Sequence, residues 1–174
     1  MINLLGIKNI IFDLGGVILN IDYNKTAQAF KDLGFSNFDE FYSQRDQTTI
    51  FNDLETGAIS ELEFVTKIQE HQDKLSHNEI INAWNTMILD LPLARIKLIK
   101  ELSKNYNVLL LSNTNEIHYK SFIKNIEQEF KEDILTPCFS KVYYSHAIGH
   151  RKPNISCFEY VLNDANIKAS ETLF

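Results

Sequence analysis

The chain has 174 residues, 44% hydrophobic and 11% aromatic, enough apolar material for one ordinary domain or a smaller core with an insertion, which excludes a disordered segment. Seventeen Lys and Arg against 23 Asp and Glu give a net charge of −6, which argues against holding nucleic acid by broad phosphate neutralisation and leaves room for a local anion site. No run approaches the ~20 apolar residues of a membrane span, and the start lacks the form of a secretory signal, so the expectation is a cytoplasmic protein with no membrane or nucleic-acid partner.

The first element is Ile7-Lys-Asn-Ile-Ile-Phe-Asp13, a short apolar run that ends on a carboxylate and meets Gly15-Gly16. It reads as a buried parallel strand feeding a tight turn. From about Asn24 to Leu91 no strand is convincing. Ser60-Glu-Leu-Glu63 and Ser76-His-Asn-Glu79 have the form of capping boxes, and Gly34 and Gly57 suit the residue just past a helix. Phe30 and Leu33, then Ile50, Phe51 and Leu54, then Leu62, Val65 and Ile68, then Ile80, Trp84 and Ile88 have helical spacing and predict a small bundle core.

A helix with Ile96, Ile99 and Leu102 inward then leads into the strand Val108-Leu-Leu-Leu111, which ends in Ser112-Asn-Thr114. Lys141-Val-Tyr-Tyr144 predicts a third strand, followed by a loop from Ser145 to Lys152. Pro153 then opens a helix with Ile155, Phe158, Val161 and Leu162 on one face. Thr172-Leu-Phe174 begins a fourth strand. Strands alternating with helices predict an open parallel α/β sheet, Rossmann-like, whose ligands bind at the carboxyl ends of the strands. Cys138 and Cys157 have no metal-clip spacing and read as reduced, buried thiols.

Three places at those strand ends could carry chemistry. Asp13, before two glycines, can face an anion cradled by backbone N–H groups, although Asp-x-Gly-Gly alone is equally a plain turn. Ser112-Asn-Thr114 offers hydroxyls and a backbone amide to a phosphate oxygen, or else a cap for the next helix by Asn113, Thr114 or Asn115. Lys152 is held in an extended conformation by Pro153 and is otherwise a solvated lysine.

Taken together, Phe12-Asp-Leu-Gly-Gly-Val17, Leu111-Ser-Asn-Thr-Asn115 and Arg151-Lys-Pro153 resemble, in order and setting, motifs one to three of the haloacid dehalogenase (HAD) superfamily. Asn20-Ile-Asp-Tyr-Asn24 and Leu54-Glu-Thr-Gly-Ala-Ile-Ser60 are most similar to its α-D-glucose-1-phosphate phosphatase branch. The resemblance implies a discontinuous HAD-like core over residues 1–20 and 92–174, incomplete at its C-terminal end, with a helical cap over 21–91. It implies an Mg²⁺-dependent phosphatase for a small phosphorylated metabolite such as a sugar phosphate. Asp13 is then the nucleophile that forms an aspartyl-phosphate, and Mg²⁺ sits on the Asp13 carboxylate and the Gly15 carbonyl. Ser112 and the Asn113 amide bind phosphate, and Lys152 neutralises developing charge.

The chain departs from that pattern twice. Gly15 stands where most of these phosphatases carry a second Asp as acid and base, a role that Asp22 is a candidate to fill. The acidic pair that follows the fourth strand in the family is not among the 174 residues, so impaired turnover is expected. The competing readings are a 2-haloacid dehalogenase and a non-catalytic phospho-ligand-binding protein of the same fold. His118, just past motif two, could touch the site but reads rather as a surface or supporting histidine.

Overall fold

The computed structural model describes residues 6–42 and 49–174. Among these, the strands β1 (Asn9–Phe12), β2 (Asn107–Ser112), β3 (Lys141–Tyr144) and β4 (Thr172–Leu173) form one parallel sheet in the order β3-β2-β1-β4. The register pairs Phe12 with Leu110 and Ser112 with Tyr144, so β1, β2 and β3 all end at the same edge of the sheet. That shared edge brings the residues following Phe12, Leu111 and Tyr144 together, although the chain separates them widely.

Alternation along β2 explains how the sheet is covered. Val108 and Leu110 join Leu14, Ile18, Ile96, Ile99, Phe122 and Ile126 in one cluster, under α6 (Leu93–Leu102) and α7 (Glu116–Phe130). Leu109 and Leu111 turn to the other face and join Ile11, Tyr143, Cys157 and Val161, under α9 (Ile155–Asp164). A strand buried on both faces has no polar side to show, and this is why β2 reads as an unbroken apolar run. Cys138 and Cys157 are free and buried, as their spacing predicts.

Between β1 and α6 lie α1 (Tyr23–Asp32), α2 (Phe38–Phe41), α3 (Thr49–Glu55), α4 (Glu61–Gln69) and α5 (His77–Asn85). Both predicted capping boxes form: Ser60 and Ser76 each accept from the amide three residues on, and Glu63 and Glu79 each reach back to the cap amide. These helices enclose their own core around Phe30, Phe35, Phe38, Phe51, Phe64, Ile68, Ile80 and Trp84. Phe30 stacks on Phe38 with ring centroids 4.1 Å apart, and each fully buried aromatic contributes about 1.5–3 kcal/mol.

Two segments link these helices to the sheet, and they run side by side. Ile21 bridges Ile88, the Asn20 amide donates to Asp90 O at 3.0 Å, and the Leu89 amide donates to Asn20 O at 2.9 Å.

Several expectations need correction. Leu62 is 67% exposed, because the inward face of α4 is set by Phe64 and Ile68, and a residue two positions before Phe64 sits about 200° round the helix from it. Ile88 packs against the helical core as expected but lies beyond α5, in the linking segment. The segment after β3 is not all loop, since α8 (Ser145–Ile148) occupies its start and Gly149 ends it at φ +71°. Pro153 does not open the following helix. Residues 151–154 form a turn closed by the Asn154 amide on Arg151 O at 3.1 Å, through a cis Lys152–Pro153 peptide, and α9 starts at Ile155, which is 74% exposed.

Gly57, just past α3, is a glycine that the packing requires. It has φ +70°, and a Cβ there would lie 2.3 Å from the backbone oxygen of His146. Gly57→Ala is expected to destabilise the chain by about 2 kcal/mol or more, from left-handed strain plus the clash, as read by the urea midpoint.

Candidate active site

Asp13 leaves β1 into a tight loop in which the Leu14 carbonyl accepts from the amides of Ile18 and Leu19, at 2.8 and 2.9 Å, and the Gly16 amide donates to Leu19 O at 2.9 Å. Gly16, at φ +75°, makes this reversal without strain. The loop's pairing of Gly15 with Leu19 uses the Leu14 carbonyl and the Gly16 amide and makes no use of the Gly15 carbonyl. A Cβ at Gly15 would lie 3.0 Å from Ile21 Cδ1, so Ile21 occupies the space beside it.

Lys152 is not solvated. Its side chain is 12% exposed, and its Nζ donates to Asp13 Oδ1 at 2.8 Å and to Leu111 O at 2.9 Å. The Leu14 amide also donates to Asp13 Oδ1, at 2.7 Å. Asn113 fixes the lysine's backbone from both sides: the Lys152 amide donates to Asn113 Oδ1 at 2.8 Å, and Asn113 Nδ2 donates to the Lys152 carbonyl at 2.8 Å. The end of β2 therefore holds motif three in place through the side chain of Asn113, which the sequence offered as a phosphate-binding amide or a helix cap; Asn115 is the cap. The Phe174 ring lies 5.1 Å from Lys152 Nζ.

Asp13, Gly15, Ser112, Asn113 and Lys152, all five residues named from the sequence, line one cavity of about 210 Å³. Ser112 is buried, and next to it Thr114 is locked to the start of α8, its amide donating to Ser145 Oγ at 2.9 Å and its carbonyl accepting from the same hydroxyl at 2.8 Å.

The remainder of the lining was not legible in the motifs. Tyr23, Tyr42, Glu55 and Trp84 come from the helices between β1 and α6, and His118 comes from α7. Glu55 Oε2 pairs with Arg151 Nη2 at 3.0 Å, both side chains being less than one-fifth exposed, and Arg151 Nη1 donates to Asn52 Oδ1 at 3.1 Å. The residue before Lys152 thus ties α3 to the sheet edge. Burial first, then the negative charges of Glu55 and Asp13, push the Tyr23 phenol above its ordinary range. Tyr42 is pushed up in the same way, by burial and then by Tyr23 and Glu55. Asp22 is not among the lining residues; its carboxylate caps α1 by accepting from the Asn24 amide at 3.0 Å.

His118 is buried, not on the surface. Asn115, the N-cap of α7, accepts from the His118 amide and donates through Nδ2 to His118 Nδ1 at 3.1 Å, so Nε2–H is left to donate to Trp84 O at 3.1 Å. The imidazole also stacks on Trp84, with centroids 4.9 Å apart. Desolvation lowers its pKa from 6.5 to about 4, against the opposing effect of the Trp84 carbonyl. Between those two values the unfolded chain binds a proton that the folded chain refuses. Stability is therefore full above about pH 6.5 and falls as the pH drops toward 4, by up to about 3 kcal/mol. His118→Gln is expected to flatten that slope in urea titrations across the same range.

Known proteins resemble the chain over nearly its whole length. A family profile of haloacid dehalogenase-like hydrolases matches residues 7–174. The chain is 37% identical over 169 residues to a D-ribitol-5-phosphate phosphatase of Bacteroides thetaiotaomicron, covering 97% of this chain and 82% of that relative. A HAD family enzyme from the same organism, solved as an aspartate-to-alanine mutant in complex with magnesium and inorganic phosphate, superposes with a TM-score of 0.87 at 36% identity, over 95% of this chain and 82% of that one. A predicted HAD-like family hydrolase from Porphyromonas gingivalis gives a TM-score of 0.82 at 30% identity, over 97% and 80%. With its parallel sheet, its cavity at the strand ends and a family match across nearly its whole length, the chain belongs to the haloacid dehalogenase-like hydrolases.

Proposed function

We propose that the chain is an Mg²⁺-dependent phosphatase that hydrolyses a small phosphomonoester, of the sugar or polyol phosphate kind, through an aspartyl-phosphate at Asp13. In this reading residues 1–20 and 92–174 are the catalytic core, and residues 21–91 are a cap that closes over it. The observation that carries it is the Lys152 Nζ–Asp13 Oδ1 pair at 2.8 Å, inside a cavity that Ser112 and Asn113 also line. The phosphate relatives add support: one is a D-ribitol-5-phosphate phosphatase, and another was crystallised with magnesium and phosphate.

The chain's own groups can divide the work. The Leu14 amide and Lys152 both bind Oδ1 of Asp13, which leaves Oδ2 to attack phosphorus in line while its partner oxygen is held still. Ser112 and the Asn113 amide take equatorial phosphate oxygens, and Lys152 balances the charge spread over them. Asp13 and the Gly15 carbonyl are hard oxygen donors that suit Mg²⁺ and would supply part of its octahedron. When bound, the ion neutralises phosphate charge and fixes the line of attack.

Among the described residues, no group of three His, Cys, Asp or Glu side chains accompanies Asp13. With Gly15 where a second aspartate would stand, no side chain at that position supplies acid–base help, which is worth roughly 10²–10⁴ in rate.

A panel of phosphomonoesters and 2-haloacids, each with Mg²⁺ and with a chelator, tests the reading. Phosphate release that requires Mg²⁺ supports it. Halide release without metal would replace it by a dehalogenase, and phosphate binding with neither product would replace it by a non-catalytic binder.

A further inference from the structure

The cavity has two chemically different ends. At the strand ends stand Lys152, Ser112 and Asn113, which suit a phosphate. Asp13 and Thr114 stand at the same end, His118 comes from α7, and Glu55, Tyr23 and Tyr42 come from the segment between β1 and α6; among the described residues Lys152 is the one Lys or Arg that lines the cavity. Arg151 is not a lining residue; its guanidinium stands behind Glu55, pairing with Oε2 at 3.0 Å and anchored by Asn52 at 3.1 Å. Glu55 is therefore held in one orientation by a partner that does not itself face the ligand. A carboxylate accepts hydrogen bonds and donates none, so it suits hydroxyl groups and repels another anion. The two phenols line the same cavity and can donate or accept; burial first, with the negative charge of Glu55 adding to it, holds both above the ordinary phenol range. About 210 Å³ is below the 300–1,000 Å³ usual for ligand pockets, which restricts the occupant to a short chain.

We propose that Glu55, braced by Arg151, is the specificity-determining residue of this site, accepting hydrogen bonds from the hydroxyls of a short, otherwise uncharged phosphomonoester and rejecting esters that carry a second anion. The proposal rests on the phosphomonoester reading given above. Tyr23 and Tyr42 complete the hydroxyl-binding end, the half-buried Tyr42 ring packing against Trp84 and Phe51, with centroids at 5.5 and 4.7 Å.

The test is calorimetric titration of the full chain with Mg²⁺ present, carrying Asp13→Asn so that nothing turns over. The ligands are inorganic phosphate, glycerol 3-phosphate and 3-phosphoglycerate; the last two have equal carbon counts and differ by a hydroxymethyl group against a carboxylate. Glycerol 3-phosphate is expected to bind about tenfold or more tightly than 3-phosphoglycerate. Adding Glu55→Gln, which preserves shape and the Arg151 contact, should collapse that ratio toward one, with inorganic phosphate still binding at least as well as before. Tyr42→Phe, a second probe without a charge change, should weaken glycerol 3-phosphate by roughly two- to tenfold and keep the ratio. Phosphate binding with no preference between the two esters, or a preference that survives Glu55→Gln, would overturn the proposal while sparing the phosphatase reading. Failure of inorganic phosphate to bind at all would overturn both, and it is read separately from the ratio.

Discussion

Asp13→Asn is expected to lower phosphatase turnover by at least about 10⁴ relative to the parent chain, since the amide cannot attack phosphorus and loss of a nucleophile removes the covalent route altogether. The fold should survive. Asp13 lies past the end of β1, its side chain is 39% exposed, and the Leu14 amide and Lys152 Nζ can both still donate to the asparagine oxygen. Inorganic phosphate should bind at least as well as before, because the substitution removes a negative charge from beside a dianion. Lost turnover with retained phosphate binding separates a chemical role from a structural one. Unchanged turnover would remove Asp13 from the mechanism.

Lys152→Met is expected to lower turnover by about 10²–10³, the range seen when one preorganised donor to developing charge is removed. Three features make Lys152 preorganised: reciprocal hydrogen bonds from Asn113 to its backbone, the bond from Nζ to Leu111 O, and 12% side-chain exposure. Unlike Asp13→Asn, this change should also weaken phosphate, because Lys152 is the cation at that end of the cavity among the described residues. Lys152→Arg should rescue poorly, since a planar fork does not fit a position where one ammonium bonds a carboxylate and a carbonyl together. A loss of turnover with unchanged phosphate affinity would contradict the account of its role.

The sequence showed most clearly what depends on local pattern. β1, β2 and β3 were readable because buried parallel strands are short apolar runs that end in polar turn residues, and the site residues stand just beyond those ends. The capping boxes of α4 and α5 were equally direct, each being a contact between residues three apart. α2 and α8 escaped notice because four residues are too few to display a period. Leu62 and Ile155 were assigned inward because spacing defines a stripe but not its centre, which the neighbouring elements decide. Lys152 taken alone read as a solvated lysine and was assigned to the site only through the three motifs together, because the groups that hold its Nζ, Asp13 and the Leu111 carbonyl, belong to other elements. Glu55 was visible only within the phrase Leu54-Glu-Thr-Gly-Ala-Ile-Ser60, and nothing local to that phrase reveals the bond to Arg151 that brings it to the cavity. His118 belongs with these, since its burial and lowered pKa arise from Trp84, on a helix from the other part of the fold.

The central claim, phosphoryl transfer to Asp13, is tested most directly by single-turnover rapid quench of the chain with an excess of enzyme over p-nitrophenyl phosphate and Mg²⁺, followed by mass spectrometry of the peptide that contains Asp13. Excess enzyme keeps the experiment informative even when turnover is slow. The account predicts an acid-stable, base-labile phosphoryl group on Asp13 that forms with nitrophenol release, decays as phosphate appears, and is absent from Asp13→Asn. Nitrophenol release at the parent rate by Asp13→Asn, with no phosphoryl group on any peptide, would contradict it.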